Sequence, residues 1–109
     1  MEGRMNSLPA EKEADITRAI RDYLNLKGIY HWKQMQGLGC KPGVADILGI
    51  LPDGRFLAIE VKTKKGQLSL HQGIFLTEIT KNNGVAFVAH SLDEAIEKLQ
   101  EAGACPWES

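Results

Sequence analysis

The sequence has few cysteines and no long apolar segment. Its two cysteines, Cys40 and Cys105, lie far apart without a Cys-x-x-Cys pair, which argues against a zinc site and a disulfide framework. No apolar run approaches the roughly 20 residues that a membrane-spanning helix needs, and no secretory signal is recognisable. These absences favour an intracellular protein without a membrane partner. No Ser-His-Asp or Cys-His arrangement suggests nucleophilic catalysis either.

The chain also lacks an excess of positive charge, since 13 Lys and Arg stand against 14 Asp and Glu. The distribution is uneven, because residues 27–71 hold seven basic and three acidic side chains, a net of +4. Contacts to phosphate depend on local positive charge and not on the overall balance, so a nucleic acid is compatible with this pattern. A charged surface with random clustering is the alternative.

The 109 residues, 43% of them hydrophobic and 25% charged, are typical of one small globular domain. We predict that the domain spans residues 9–102, with flexible termini at 1–8 and 103–109. Apolar periodicity, glycine stops and capping signals predict the α/β element order α-β-β-β-α-β-α. The predicted helices cover 9–27, 69–82 and 91–102, and the predicted strands are 29–33, 84–89 and the apolar runs on either side of 52–55.

The middle helix begins with a Ser-x-x-Gln capping box at residues 69–72, which gives Gln72 a structural role. Its buried face is expected to come from Leu70, Ile74 and Ile79, together with Phe75 and Leu76. The connection through this helix to strand 84–89 is a βαβ unit, so those strands are parallel with a right-handed crossover. We therefore expect a mixed β-sheet flanked by helices.

Acidic residues interrupt the two apolar runs between Gly43 and Lys62. Asp46 opens the first run, and Glu60 stands near the end of the second. Alternate residues of a strand share a face, so Glu60 and Lys62 point the same way. Burying a carboxylate costs roughly several kcal/mol unless a partner compensates it. A divalent cation is the simplest compensation for two convergent carboxylates.

The turn at residues 52–55, Pro-Asp-Gly-Arg, predicts a β-hairpin between these runs. A two-residue turn would place Asp46 and Glu60 on opposite faces of the hairpin. A shared metal site therefore requires an odd-length loop or a bulge, with Gly54 in the left-handed region.

The pattern Gly-x-x-Asp at 43–46, Glu-Val-Lys at 60–62 and Ser-x-x-Gln at 69–72 resembles the VRR-NUC (virus-type replication-repair nuclease) family. This family belongs to the PD-(D/E)xK nuclease superfamily. The resemblance reaches from the first helix to about Ala89, and it implies a restriction-endonuclease-like fold. Ala45 departs from the proline that many relatives carry before the aspartate, which affects the approach to the strand more than the chemistry.

The resemblance also implies roles for individual residues. Asp46, Glu60 and the Val61 backbone carbonyl would bind Mg²⁺ or Mn²⁺. Lys62 would hold the attacking water or help to deprotonate it, and would offset charge on the phosphate. Gln72 would contact metal-bound water or phosphate in addition to capping its helix.

Glu13 has two interpretations. It shares a helix face with Ile16 and Ile20. It would either stabilise the helix dipole from the first turn or act as a third catalytic acid that reaches the metal through water. The resemblance favours the second, because a first-helix glutamate recurs in the family.

The loop over residues 34–43 is long for so small a domain and leads directly into Asp46. Such loops are usually functional or mobile, so we expect this one to rim the site, although an ordinary connector is the alternative. The predicted contacts to DNA phosphates are Lys33, Lys41, Lys64 and Lys65.

The function implied by the resemblance is metal-dependent hydrolysis of DNA phosphodiesters by a stand-alone phage or bacterial enzyme, acting in the cytoplasm. Because the sequence shows no recognition helix or zinc finger, we expect selectivity for branched DNA, as in a Holliday-junction resolvase. A flap or nicking nuclease is one alternative. A non-catalytic nucleic-acid-binding module and a small α/β binding protein with incidental acids are the others.

Four apolar residues have no evident place in so small a core: Trp32, Met35, Leu38 and Trp107. Exposed apolar patches mark interfaces, and two incisions in a four-way junction suit a two-fold dimer. We therefore expect a homodimer. The alternative is that Trp32 packs inside and Trp107 lies on the tail.

Overall fold

The computed structural model describes residues 12–104, in which helices and strands follow the predicted order α-β-β-β-α-β-α. The elements are α1 (Glu13–Leu26), β1 (Tyr30–Lys33), β2 (Ile47–Ile50), β3 (Phe56–Val61), α2 (Leu70–Lys81), β4 (Val85–Ala89) and α3 (Leu92–Glu101). The predicted start of the domain at residue 9 lies outside the described residues. Ala104 is buried in the core, so the packed region continues past the predicted end at residue 102. No helix within 12–104 is long and apolar enough to cross a membrane.

The four strands form one sheet in the order β1-β2-β3-β4. The pairs β1–β2 and β2–β3 are antiparallel, and β3–β4 is parallel, because α2 carries the chain across one face of the sheet. The predicted mixed sheet with flanking helices is therefore confirmed.

Different helices cover the two faces of the sheet. Ile47 and Ile59 point to one face, where they share a core cluster with residues of α1 and α3. Leu48 and Ala58 point to the other face and pack against Leu76 of α2. We call this second side the α2 face.

The predicted buried face of α2 is wrong in part. Leu70 and Ile74 are 76% and 50% exposed, whereas Leu76 is buried and Phe75 and Ile79 pack against the same cluster. The helix carries apolar residues on more than one side, and the sheet covers only the side that holds Phe75, Leu76 and Ile79.

The hairpin between β2 and β3 has a three-residue loop. Ile50 pairs with Phe56, and Leu51 N–H donates to Arg55 O, which leaves residues 52–54 as the turn. Gly54 has a φ of 93° and donates from its N–H to Leu51 O. The predictions of an odd-length loop and of a left-handed Gly54 are both confirmed.

Candidate active site

Three polar side chains, those of Asp46, Glu60 and Lys62, lie on the α2 face next to its apolar residues. Glu60 and Lys62 follow Ala58 at intervals of two residues, so they share its face. Continuing the hairpin register by one residue beyond Ile47 and Ile59 places Asp46 opposite Glu60. The hairpin loop length thus brings the two carboxylates to one side of the sheet.

Glu60 is the most buried charged residue of this group, with 3% of its surface exposed. Its Oε2 accepts a hydrogen bond from Gln72 Nε2 at 3.0 Å, and Lys62 Nζ lies 3.6 Å from the same oxygen. Its Oε1 is also buried and has no hydrogen-bond partner among residues 12–104. One carboxylate oxygen is therefore held by the protein, and the other is buried without a hydrogen-bond partner.

The surroundings of Glu60 raise its pKa. Burial and the neighbouring Asp46 carboxylate raise the pKa of Glu60 from 4.5 to about 7, against the opposing effect of the Lys62 ammonium. Glu60 is consequently poised to change charge near neutral pH, and a cation close to it would favour the ionised form.

Main-chain contacts on both sides hold Asp46 in place. Its Oδ2 accepts from Val61 N–H at 2.8 Å, and its backbone carbonyl accepts from Gln34 N–H at 2.8 Å. The N–H and C=O of a residue in an extended strand point to the same side of that strand. The Val61 carbonyl therefore points to the side of β3 on which Asp46 lies.

Gln72 reaches Glu60 from the first turn of α2. The predicted capping box is present, with Ser69 Oγ accepting from Gln72 N–H and Gln72 Oε1 accepting from Ser69 N–H. The family resemblance implies a contact of Gln72 with metal-bound water or phosphate, and the structure places Gln72 in direct contact with a carboxylate.

Gly43 is a residue whose role sequence reasoning missed. It has a φ of 80°, and a Cβ atom at this position would overlap the carbonyl group of His71 in the first turn of α2. The loop before Asp46 is thus packed directly against the turn that carries Gln72. The Gly-x-x-Asp spacing was visible in the sequence, but the partner is 28 residues away in the chain.

Glu13 lies on a different helix from Gln72. It is exposed at the first position of α1, and α1 packs on the face opposite to the α2 face. No three His, Cys, Asp or Glu side chains within 12–104 form a cluster that could hold a metal ion. The described site therefore has two carboxylates, Asp46 and Glu60.

The four lysines predicted to contact phosphate are all exposed. Lys33 ends the edge strand β1, and Lys41 lies in the loop that leads to Gly43. Lys64 and Lys65 lie between β3 and α2, just beyond Lys62. Three of these side chains therefore belong to segments that adjoin the acidic pair.

The mixed sheet and the acidic pair with its lysine define a nuclease-type α/β domain. A family model for the VRR-NUC domain matches residues 2–93, and the chain belongs to this family. A solved structure described as a VRR_NUC domain is 27% identical, with 84% of this chain and 97% of that chain covered and a TM-score of 0.67. Another, described as a VRR_NUC domain protein, is 18% identical, with 87% and 90% covered and a TM-score of 0.69, and it supports the fold alone. Comparison with curated proteins produced no match.

Proposed function

We propose that the chain is a Mg²⁺- or Mn²⁺-dependent endonuclease that hydrolyses phosphodiesters in branched DNA. The observation that carries the proposal is that Asp46, held by Val61 N–H, lies beside a buried Glu60 whose second oxygen, Oε1, has no hydrogen-bond partner among residues 12–104. The presence of Lys62 beside this pair argues against a non-catalytic module that merely keeps the fold. Such a module would not need Asp46, Glu60 and Lys62 together.

The oxygen donors fit a hard divalent cation. Magnesium is usually held by one or two carboxylates together with waters and substrate phosphates, and a dedicated cage of protein ligands is not required. Asp46, Glu60 and the Val61 carbonyl would hold the ion, and when bound it would act as a Lewis acid toward the phosphate. This ligand set is complete without Glu13, whose proposed contact through water remains a prediction.

The remaining residues act on water and phosphate. Lys62 Nζ would donate a hydrogen bond to the attacking water or to the phosphate oxygens, offsetting the negative charge that develops as the new P–O bond forms and the old one breaks. Its ammonium already lies 3.6 Å from Glu60 Oε2, so it is held at the edge of the acidic pair. Gln72 keeps Glu60 oriented through its hydrogen bond to the same oxygen.

The proposed substrate class follows from the kind of contacts available. Exposed lysines at positions 33, 41, 64 and 65 suit phosphates, which position a duplex without reading its sequence. Selectivity would then come from DNA shape, as in cleavage of a four-way junction in the cytoplasm of a bacterial or phage-infected cell.

A homodimer would supply two such sites for the two incisions that a junction requires. Met35 and Leu38 are 76% and 105% exposed, and Trp32 is 37% exposed, so the loop after β1 offers apolar surface for a second copy. Trp107, which the sequence analysis grouped with these residues, lies outside the described part of the chain.

The test is cleavage of a panel of four-way, flap, single-stranded and duplex DNA with Mg²⁺ or Mn²⁺. We expect paired incisions in the four-way junction, and none when a chelator is added or when Glu60→Gln replaces the wild type. Metal-independent cleavage would contradict the metal site. Preferred cleavage of flaps, or single nicks, would replace the junction proposal with a flap or nicking nuclease.

A further inference from the structure

The capping box of α2 extends into the candidate active site. Ser69 Oγ lies 3.2 Å from Gln72 N, and Ser69 N lies 2.9 Å from Gln72 Oε1, with the N–H groups donating in both cases. The same Gln72 side chain donates from Nε2 to Glu60 Oε2 at 3.0 Å. One amide group therefore joins the start of a helix to a buried carboxylate.

The chemistry of its two partners fixes the orientation of this amide. The backbone N–H of Ser69 can only donate, so it requires the carbonyl oxygen of Gln72. An ionised Glu60 can only accept, so it requires the NH₂ group. Turning the amide over would set two donors against each other at Ser69 and two acceptors against each other at Glu60.

We propose that Ser69 is a positioning residue of the candidate active site: its hydroxyl caps the first turn of α2 and so keeps the residue's own backbone N–H on Gln72 Oε1, which holds the NH₂ group of Gln72 toward Glu60. Gln72 and Lys62 both engage Oε2, whereas Oε1 is buried and has no hydrogen-bond partner within the described residues. The effect of Ser69 on cleavage rests on the proposed function, whereas its effect on the Gln72 amide does not.

The first turn of α2 is also held by the loop that precedes Asp46. Gly43 packs so closely on the His71 carbonyl group that a Cβ atom would not fit between them. The turn therefore cannot move toward the loop at residues 34–43 to recover a lost cap.

A second serine cap in the same chain offers a matched control. At the start of α3, Ser91 Oγ accepts from Glu94 N–H at 3.1 Å. This helix packs on the face of the sheet opposite to Glu60, because its residues Ala95 and Leu99 belong to the other core cluster. Ser91→Ala removes a comparable helix cap at a residue with no described contact to Asp46, Glu60 or Gln72.

The experiment compares the wild type with Ser69→Ala, Ser69→Thr and Ser91→Ala. NMR of the metal-free protein would follow the side-chain NH₂ resonances of Gln72, and Mn²⁺-dependent cleavage of a four-way junction would give kcat. Ser69→Ala keeps the backbone N–H of residue 69 but removes the hydroxyl cap, so we expect the first turn of α2 to loosen around Gln72. The Gln72 resonances should then move toward those of a solvent-exposed glutamine, and kcat should fall roughly fivefold to tenfold, as for the loss of one oriented hydrogen bond. Ser69→Thr keeps a hydroxyl and should preserve both readouts. Ser91→Ala should lower the melting temperature by about as much as Ser69→Ala does. It should change neither the Gln72 resonances nor kcat.

Unchanged Gln72 resonances in a folded Ser69→Ala variant would overturn the proposal. Equal losses of kcat in Ser69→Ala and Ser91→Ala would overturn it as well, since they would reflect general destabilisation. If the wild type cleaves no DNA, the proposed function fails, and the NMR comparison still decides whether Ser69 positions Gln72.

Discussion

Val61 N–H donates to the Asp46 carboxylate, with 2.8 Å between Val61 N and Asp46 Oδ2, beyond the last residue pair of β2 and β3. The side chain of Asp46 thus takes the place of a strand carbonyl in satisfying this N–H. The acid is consequently oriented by the main chain before any ligand binds, and its charge faces Glu60 in the free protein.

Asp46→Asn should separate the structural and ligand-binding roles of this residue. The asparagine keeps an oxygen for Val61 N–H and removes the charge that opposes ionised Glu60, so we expect no loss of stability at about pH 8 without divalent metal. The rise in melting temperature that Mn²⁺ causes in the wild type should disappear. Asp46→Ala leaves Val61 N–H without its acceptor and should cost about 1–3 kcal/mol. Thermal unfolding with and without Mn²⁺ measures all of these effects.

Asp22→Asn, at an exposed position on α1, serves as the control and should keep the full response to Mn²⁺. A wild type whose melting temperature does not respond to Mn²⁺ would count against both Asp46 and Glu60 as ligands.

Glu60 should make the metal-free protein less stable as the pH rises. Because its pKa is raised from 4.5 to about 7, the native state binds this proton more tightly than the unfolded chain does. The resulting stabilisation is complete below about pH 4.5 and is lost as the pH rises through about 7, a change on the order of 3 kcal/mol. Urea unfolding in chelator at about pH 5 and about pH 8 should show this decrease in the wild type and its absence in Glu60→Gln. If the free energy of unfolding changes equally with pH in the wild type and in Glu60→Gln, the Glu60 proton is not linked to folding.

Lys62→Ala should abolish most cleavage while leaving metal binding in place. Loss of a positioned ammonium at the reacting phosphate is expected to lower kcat by about 100-fold or more. The Mn²⁺-dependent rise in melting temperature should persist, because Lys62 contributes no oxygen ligand. Lys81→Ala is the matched control, since Lys81 is 65% exposed at the far end of α2 and pairs only with Glu78 among the contacts described. A Lys62→Ala variant with wild-type kcat would remove Lys62 from the mechanism.

Two glycine-to-alanine substitutions should have opposite effects on the free energy of unfolding. Gly43→Ala introduces a Cβ atom that overlaps the His71 carbonyl group at a φ of 80°, and we expect it to cost about 1–3 kcal/mol. Gly73→Ala lies within α2 with open space around the new methyl group, so it should stabilise the protein by roughly 0.5–1 kcal/mol. Chemical denaturation gives both values. Equal effects of the two substitutions would show that the packing of the loop on α2 is unimportant.

The proposed dimer should depend on the loop after β1. Light scattering at micromolar concentration should give about twice the monomer mass of 12.0 kDa, and Leu38→Ser should shift the mass toward the monomer. Leu26→Ser is the control, because Leu26 is 78% exposed at the end of α1 and should leave the mass unchanged. A wild-type mass near 12.0 kDa, together with one cut per junction, would leave a nicking or flap nuclease.

Much of the fold was accessible from the sequence because local signals and the larger arrangement agree. Ser69 and Ser91 stand at the caps of α2 and α3 as their capping patterns predict. The hairpin register followed from a functional requirement, since only an odd loop places Asp46 on the same face as Glu60. The requirement for a shared metal site selected an odd-length loop over a two-residue turn, whereas turn propensity alone allows both.

The errors and omissions arise where the sequence pattern is compatible with more than one packing. In α2 the apolar residues surround much of the helix, so periodicity could not identify the side that packs, and Leu70 and Ile74 were placed wrongly. The contact between Gly43 and His71 is formed only in the folded chain, and no local pattern indicates it.

The three-residue loop at residues 52–54 has a consequence for how this chain can vary in length. Each residue added to or removed from the loop would exchange the two faces of β3, moving Glu60 and Lys62 away from Asp46 and turning Ile59 out of its core cluster. Changes of two residues would preserve both arrangements, as would a single insertion absorbed by a bulge. Natural or engineered insertions and deletions at this turn should therefore be tolerated in even steps, although the loop touches neither acid.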